Sequence, residues 1–214
     1  MQLHLEESIQ RDVEVIRGKV VEMCGLDEKA LRSCVRALRE GNRQLAYAVI
    51  LRDQYVDGME KELDRLCLEF LVRQQPVAGL LRFAYATIKI NLELERVGDY
   101  AESIARQTLK LIGTEVKIPM ERFEEIANLS IPMLHEAIQA FVHQDAELAK
   151  KTIATEEAVD VLKSRLNKDL VAMFRENQLP FEALNPLIMI ARKKGARISE
   201  RSILATMPTS IART

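Results

Sequence analysis

Apolar residues recur every seven positions along two long stretches of this chain, and this spacing constrains its fold most strongly. The first stretch carries four such residues: Val49, Val56, Leu63 and Phe70. The second stretch carries five: Phe83, Ile90, Val97, Ile104 and Leu111. Because a seven-residue spacing places side chains on one helix face, its recurrence in neighbouring helices predicts an all-α bundle. With 8 Gly and 6 Pro among 214 residues, turns are too scarce for a β-sandwich or barrel.

The charge balance and the cysteine pattern limit the classes of function. The chain has 31 basic and 32 acidic residues, whereas a dedicated nucleic-acid binder usually carries a basic excess. No apolar run approaches the ~18 residues of a transmembrane helix, and the N-terminal residues are acidic and amphipathic, unlike a signal peptide. Cys24, Cys34 and Cys67 are widely spaced, which predicts that at least two of them pack between helices rather than forming disulfides or a zinc site. We therefore expect a cytoplasmic protein without membrane insertion and without a nucleic-acid partner.

Helix-breaking residues divide the chain into about seven helical segments. The first segment is predicted to end near Gly25, and Asp27 is a plausible N-cap for a second segment that ends at Gly41. The later segments are predicted over residues 43–73, over residues 76–113 and from residue 120 onward.

The sequence pattern repeats after 103 residues, without a gap over about 30 residues. Leu63 then aligns with Leu166, and other apolar positions align in the same way. Shared helical periodicity alone would align apolar positions at some shift, but it would not also align acidic ones. The acidic residues do align, Asp53 with Glu156 and Asp57 with Asp160. We predict one helical unit over residues 1–114, a second over 119–206 with a degenerate last helix, and a tail over 207–214.

Acidic residues four positions apart are the candidate binding residues. The three pairs of interest are Asp53/Asp57, Glu95/Asp99 and Glu156/Asp160. Residues at i and i+4 share a helix face, where two carboxylates repel each other unless a hard cation neutralises them. Acidic pairs at this spacing are no more numerous here than chance predicts, so only their repeat-related placement is informative. Metal binding and a solvated acidic surface therefore both remain open from the residues alone.

Motifs of known catalytic sites are absent from the sequence. His4, His135 and His143 are the only histidines, and none lies three residues after a glutamate, as the ligands of a ferritin-like di-iron bundle would. The sequence also lacks a Gly-rich phosphate loop, a nucleophile elbow and an HExxH motif. We therefore predict no catalytic residue and no organic-cofactor site, and we expect a protein that is not an enzyme.

Two motifs in the middle of the chain are specific enough to suggest a family. The stretch Arg73-Gln-Gln-Pro-Val-Ala78 is followed by Leu81-Arg82 and then by Leu94-Glu-Arg-Val-Gly-Asp99. This arrangement closely resembles the PhoU family, regulators of the phosphate-specific transport (Pst) system, whose pattern is R-Q-x-P-V-A-x-D-L-R followed by L-E-R-I-G-D. The likeness covers roughly residues 3–190. It implies two tandem three-helix bundles and a negative regulator of phosphate uptake signalling.

The resemblance also implies a metal site and partners. PhoU-like proteins bind multinuclear metal clusters through E(D)-x-x-x-D motifs, matched here by Asp53/Asp57 and Glu95/Asp99 in the first unit and by Glu156/Asp160 in the second. Oxygen-only ligation is compatible with iron, zinc, manganese or magnesium. The implied partners are the ATPase subunit of the Pst transporter and a phosphate-responsive sensor histidine kinase. A homodimer is also implied.

The chain departs from the family pattern at two places. Leu80 replaces the aspartate that the family carries before Leu-Arg. The second copy of the L-E-R motif is also missing, since Gly195 and Ser199 take the places of its acidic pair without a gap. With one inserted residue, the substitutes are Ala196 and Glu200. We therefore predict an intact first metal site and a weak or absent second one.

Two other interpretations use the same residues. A metal-handling or ferroxidase-type bundle would employ the acidic pairs in redox chemistry. A metal-free helical scaffold would keep them as solvated surface charge.

Overall fold

Long helices build the fold. The computed structural model describes residues 2–192, and all regular secondary structure within that range is α-helical. The described helices are α1 (Gln2–Glu40), α2 (Arg43–Gln74), α3 (Ala78–Leu111), α4 (Met120–His143), α5 (Ala146–Arg175) and α6 (Phe181–Arg192). None of them is long and apolar enough to cross a membrane. Residues 193–214, which hold the end of the second predicted unit and the predicted tail, lie outside the described residues.

Helix α1 runs without interruption through the position where a boundary was predicted. Gly25 lies inside α1, and Asp27 is buried instead of capping a helix, so the prediction of a separate segment starting there was wrong. One interior glycine costs a helix only about 1 kcal/mol relative to alanine. Burial of Met23 before it and Cys34 after it offsets that cost, since each buried apolar side chain contributes about 1.5–3 kcal/mol. The described residues therefore form six helices rather than seven.

The other helix boundaries agree with the breaker pattern to within a few residues. Helix α2 begins at Arg43 as predicted. Helix α3 begins at Ala78, two residues after the proline that ends the preceding connection, and it ends at Leu111. Helix α4 begins directly after Pro119. Proline and glycine therefore mark these connections correctly.

The turn that joins the first two helices of each unit recurs after 103 residues. Gly41 and Gln144 occupy the left-handed region, with φ of 60° and 54°. Asn42 and Asp145 follow them as N-caps, and each side chain accepts a hydrogen bond from the backbone N–H three residues later, at 3.0 and 2.9 Å. The recurrence of the same turn and cap confirms that the chain contains two copies of one helical unit.

The two units share hydrophobic cores. Helices α1, α2 and α3 pack together in the first unit, whereas α6 packs on α5 and also on α3, and α1 packs on α4. Phe83 of α3 lies between the rings of Phe70 and Phe141, at centroid distances of 6.5 and 5.7 Å. Such aromatic pairs contribute about 0.5–1.5 kcal/mol beyond their buried area. This aromatic cluster joins α2, α3 and α4 across the two units.

All three cysteines are unbridged and buried, as the packing prediction required. The Cys34 thiol donates a hydrogen bond to the Ala101 carbonyl oxygen at 3.1 Å, which links α1 to α3. Burial raises the pKa of the Cys34 thiol to about 12, so it stays protonated and unreactive. The cysteines are therefore part of the helix packing.

Candidate functional site

Helices α2 and α3 approach each other closely at Gly98. A Cβ atom at this position would lie 2.9 Å from Cγ1 of Val56 and 3.3 Å from Oδ1 of Asp53. Real Cβ contacts are almost never that short, so a larger residue would push the two helices apart. The glycine of the L-E-R-V-G-D motif therefore sets the spacing at which acidic side chains of α2 and α3 face each other.

Six carboxylates lie near one another along this helix pair, and we call them the acidic seam. They are Asp53, Asp57 and Glu60 of α2 and Glu95, Asp99 and Glu102 of α3. The seam contains all four acidic residues that were predicted as metal ligands in the first unit. Glu60 also stands four residues before Asp64, but that pair has no acidic counterpart 103 residues later and was not predicted to bind metal; Glu102 was not identified by the spacing.

Burial and, after it, the charges of neighbouring acids raise the pKa values of two seam carboxylates. The pKa of Asp53 is raised to about 6, by burial first and then by the charges of Glu102, Asp57 and Asp99. Burial also raises the pKa of Glu95, with contributions from neighbouring acids, while Arg96 lowers it. Arg106 forms an ion pair with Glu102, and the remaining seam carboxylates leave a concentration of negative charge that a bound cation would neutralise.

Asn91 fastens α3 to α2 at one end of the seam. Its Nδ2 donates hydrogen bonds to the backbone oxygen of Glu60 at 2.8 Å and to Oδ1 of Asp64 at 3.0 Å. Asn91 is 1% exposed, so these bonds are largely shielded from water. They hold Glu60 and the face of α3 that carries Glu95 in fixed register.

Asp27 of α1 is a further carboxyl group at this site, although its place after Gly25 predicted a helix N-cap. It is completely buried, and neither side-chain oxygen has a hydrogen-bond partner. Its pKa is raised well above the ordinary value by burial first, and then by the charges of Asp53 and Glu95. The helical spacing Val20, Met23, Asp27, Cys34 would have placed it on the buried face of α1.

A cleft of about 520 Å³ opens beside Asp53 where the three helices of the first unit meet. Leu26 and Ala30 line it from α1, on either side of Asp27 in sequence, and Gly98 lines it from α3. The charged residues that line the cleft are Lys29, Arg52 and Asp53, so Asp53 is the seam carboxylate that an ion in the cleft would meet first.

The predicted second site has a different environment. Asp160 is exposed, and its Oδ1 lies 3.6 Å from Nζ of Lys163, which stands 103 residues after Glu60. Helix α6 carries one acidic residue in its described length, Glu182 in its first turn. The residues predicted to replace the missing pair, Gly195 with Ser199 or Ala196 with Glu200, lie outside the described residues. Glu156 and Asp160 therefore face no acidic pair on the described part of α6.

The acidic seam has the oxygen donors that hard cations prefer, and the unpartnered oxygens of Asp27 lie beside them. Within residues 2–192, however, no three His, Cys, Asp or Glu side chains already enclose a position for a metal ion. Carboxylates of the seam would therefore have to rotate toward a bound ion. Metal ligation by the predicted residues stays a prediction.

The first family motif has a structural role. Nη2 of Arg73 lies 3.3 and 3.2 Å from the two carboxylate oxygens of Asp12. The neighbouring Gln74 donates hydrogen bonds to Asp12 at 2.8 Å and to Ser8 at 3.1 Å. These contacts fasten the end of α2 to the N-terminal half of α1.

Comparison with known proteins finds relatives that match this chain in sequence and in fold. The PhoU domain model matches residues 20–108 and again residues 123–193. The second match starts 103 residues after the first. The second match ends before the position where the second acidic motif was expected. The crystal structure of PhoU from Pseudomonas aeruginosa superposes with a TM-score of 0.82 and 27% identity, covering 95% of this chain and 94% of that one.

Relatives agree in sequence as well. The phosphate-specific transport system accessory protein PhoU homolog of Aquifex aeolicus is 30% identical over 182 residues, which cover 85% of this chain and 82% of that protein. The homolog of Pseudomonas aeruginosa is 31% identical over 176 residues, 81% of this chain and 72% of that protein. The regulatory protein PhoU of Streptococcus pneumoniae, 20% identical with a TM-score of 0.80, shares the fold over 95% of this chain and 93% of that one. The chain therefore belongs to the PhoU family.

Proposed function

We propose that this chain is an accessory regulator of phosphate uptake and not an enzyme. Its relatives are named accessory proteins of the phosphate-specific transport system, which supports this role. The observation that carries the proposal is the family match across both helical units. A strain that lacks the protein is expected to take up excess phosphate faster in phosphate-rich medium, measured with radiolabelled phosphate. An unchanged uptake rate would contradict the proposal.

We infer that the protein acts by binding two partners in the cytoplasm. The partners are the ATPase subunit of the Pst transporter and a phosphate-responsive sensor histidine kinase, and the protein lowers phosphate signalling by linking them. Exposed helix faces would form the contacts, as in other helix-mediated complexes. Purified protein, as the homodimer that the family resemblance implies, is expected to retain each partner in a pull-down. Retention of neither would contradict this inference.

We further propose that the acidic seam binds iron, zinc, manganese or magnesium ions. Asp53, Asp57, Glu95 and Asp99 would hold the ion, which would neutralise the repulsion between their charges. The close approach of α2 and α3 at Gly98 supports this proposal, because it brings carboxylates of both helices to one groove. Neutralisation would also stabilise the packing of α2 against α3, so that metal occupancy alters partner binding.

The coupling between metal and partner can be tested with one matched pair of variants. Asp57→Ala is expected to lose metal and to change the affinity for the kinase by about fivefold or more. Asp160→Ala, its counterpart in the second unit, is expected to change neither. Metal content is measured by elemental analysis and affinity by titration with and without chelator. Loss of metal in Asp57→Ala with unchanged kinase affinity would contradict the coupling.

Two alternatives from other classes give different outcomes. A ferroxidase-type bundle would consume oxygen catalytically with iron(II), whereas an accessory regulator is expected to give no turnover. A metal-free scaffold would bind no ion, and substitution of Asp53 or Glu95 would leave partner binding unchanged.

A further inference from the structure

Asp27 is the least compensated polar group in the described part of the first unit. Its side chain is completely buried, and both carboxyl oxygens lack a hydrogen-bond donor. A buried carboxylate in that state costs several kcal/mol unless a proton, a donor or a cation compensates it. Residues 2–192 supply no hydrogen-bond donor to it, so either a proton or a bound cation has to compensate the buried charge.

Two carboxylates of the acidic seam interact electrostatically with Asp27. The two charges that act on it most strongly are those of Asp53 and Glu95, one on α2 and the other on α3. Leu26 and Ala30, which flank it on α1, line the same cleft as Asp53. Asp27 therefore lies near the seam on the buried face of α1, between residues that line the cleft but outside the lining itself.

The second unit shows what the same position looks like without an acidic seam. Ser130 stands 103 residues after Asp27 and is also buried, 6% exposed. Lys163 stands at the place of Glu60 and pairs with Asp160. The buried carboxyl group thus occurs in the unit that carries Glu60 at the position of Lys163, while Lys29 and Arg52 line the cleft beside Asp53.

We propose that Asp27 is a buried ligand of the cation held by the acidic seam, so that the site takes carboxylates from all three helices of the first unit. This inference rests on the proposed binding of a cation by the seam. The E(D)-x-x-x-D motifs supply ligands from α2 and α3, and Asp27 adds one from α1. The ion supplies the positive charge that the buried carboxylate lacks, and it ties α1 to the pair of helices that carry the motifs.

Terbium(III) is a suitable probe because it prefers oxygen ligands and its luminescence is excited through tyrosine. The chain has no Trp and 4 Tyr, and Tyr55 lines the cleft beside Asp53. Luminescence lifetimes in H₂O and D₂O count the water molecules bound directly to the ion. In Asp27→Asn and in Asp27→Ser, which copies the second unit, this number is expected to rise by about one as water replaces the carboxylate. Affinity is expected to fall at least about tenfold.

Three comparisons make the result decisive. Asp160→Asn, in the second unit, is expected to leave the water count and the affinity unchanged. If wild-type protein gives no terbium signal above that of Asp53→Asn/Asp99→Asn, the seam does not bind a cation and the proposed metal site fails. If wild-type protein binds terbium while both folded Asp27 variants keep its water count, Asp27 is not a ligand and this inference fails alone. Circular dichroism identifies which variants are folded. If Asp27→Asn is not folded, the result for Asp27→Ser decides whether Asp27 is a ligand.

Discussion

The two helical units have the same scaffold but different charges at related positions. Leu63 and Leu166 are both fully buried, and the turn before the second helix recurs with the same cap. By contrast, the first unit gathers an acidic seam around Asp53, whereas Asp160 pairs with Lys163. A few polar positions thus decide where a cation can bind, while apolar positions preserve the fold in both units.

The shared scaffold predicts equal losses of stability at related core positions. Leu63→Ala and Leu166→Ala are each expected to lower the free energy of unfolding by about 2–5 kcal/mol, because a cavity replaces a fully buried side chain. Urea denaturation followed by circular dichroism measures both. One transition is expected, since Phe83 and Phe141 join the two units.

Exposed residues on the same helices provide the control for this pair. Leu68→Ala on α2 and Val161→Ala on α5 alter side chains that are 58% and 62% exposed, and each is expected to change stability by less than about 0.5 kcal/mol. Two separate transitions, with each core variant shifting one of them, would contradict the shared core.

The difference in charge predicts unequal losses of metal. Asp53→Ala/Asp99→Ala is expected to lower metal affinity by at least about tenfold. Substitution of residues that only support metal ligands already lowers affinity by about tenfold, and loss of the ligands themselves should cost at least as much. Glu156→Ala/Asp160→Ala is expected to retain the wild-type metal content. Elemental analysis after equilibration with mixed divalent ions compares them. Equal losses in both double variants would show that the units are chemically alike.

Much of the scaffold could be predicted from the sequence, because apolar spacing and helix breakers act locally. The seven-residue spacing identified α2 and α3, and Pro119 marked the start of α4. Gly25 was misjudged because its local helix-breaking tendency is outweighed by burial of its neighbours along α1. That outcome depends on what packs against α1, which local signals do not contain.

The site was predicted in part, for a related reason. Spacing identified Asp53 and Asp57, and the family motif gave Glu95 and Asp99 a role. Glu60 was set aside as part of an unrepeated pair with Asp64, and Glu102 and Asp27 were missed, because their proximity to the predicted ligands depends on how α1, α2 and α3 are rotated about their axes. The close approach at Gly98 sets that rotation for α2 and α3, and it becomes visible only in three dimensions.

The recurring helix caps predict a smaller and equal effect in the two units. Asn42→Ala and Asp145→Ala each remove a side-chain acceptor for one backbone N–H at a helix start. Each is expected to lower the free energy of unfolding by about 1 kcal/mol, measured by urea denaturation. Asn42→Asp and Asp145→Asn preserve the acceptor and are expected to stay within a few tenths of wild type. A loss confined to one unit would mean that the two caps are not equivalent.

The smallest expected effect is a pH dependence that belongs to the first unit. In metal-free protein the pKa of Asp53 is raised to about 6 by burial and neighbouring acids, above the value of about 3.9 in an unfolded chain. The folded state therefore binds this proton more tightly than the unfolded state does. The stabilisation that follows from this difference is complete below pH ~4 and is lost as the pH rises through about 6. Solvent screening limits the change to below about 1 kcal/mol.

The difference between wild type and Asp53→Asn isolates this contribution, because other titrating groups act on both proteins. Wild type is expected to lose stability relative to Asp53→Asn between pH 4 and pH 6, since the amide cannot ionise next to the other seam carboxylates. Asp160→Asn, which alters an exposed carboxylate 3.6 Å from Lys163 in the second unit, is the matched control and is expected to change stability by less than about 0.5 kcal/mol. Manganese added at pH 7 should restore stability to wild type more than to Asp53→Asn. If wild type gained stability relative to Asp53→Asn over this pH range, the carboxylates of the seam would not repel one another.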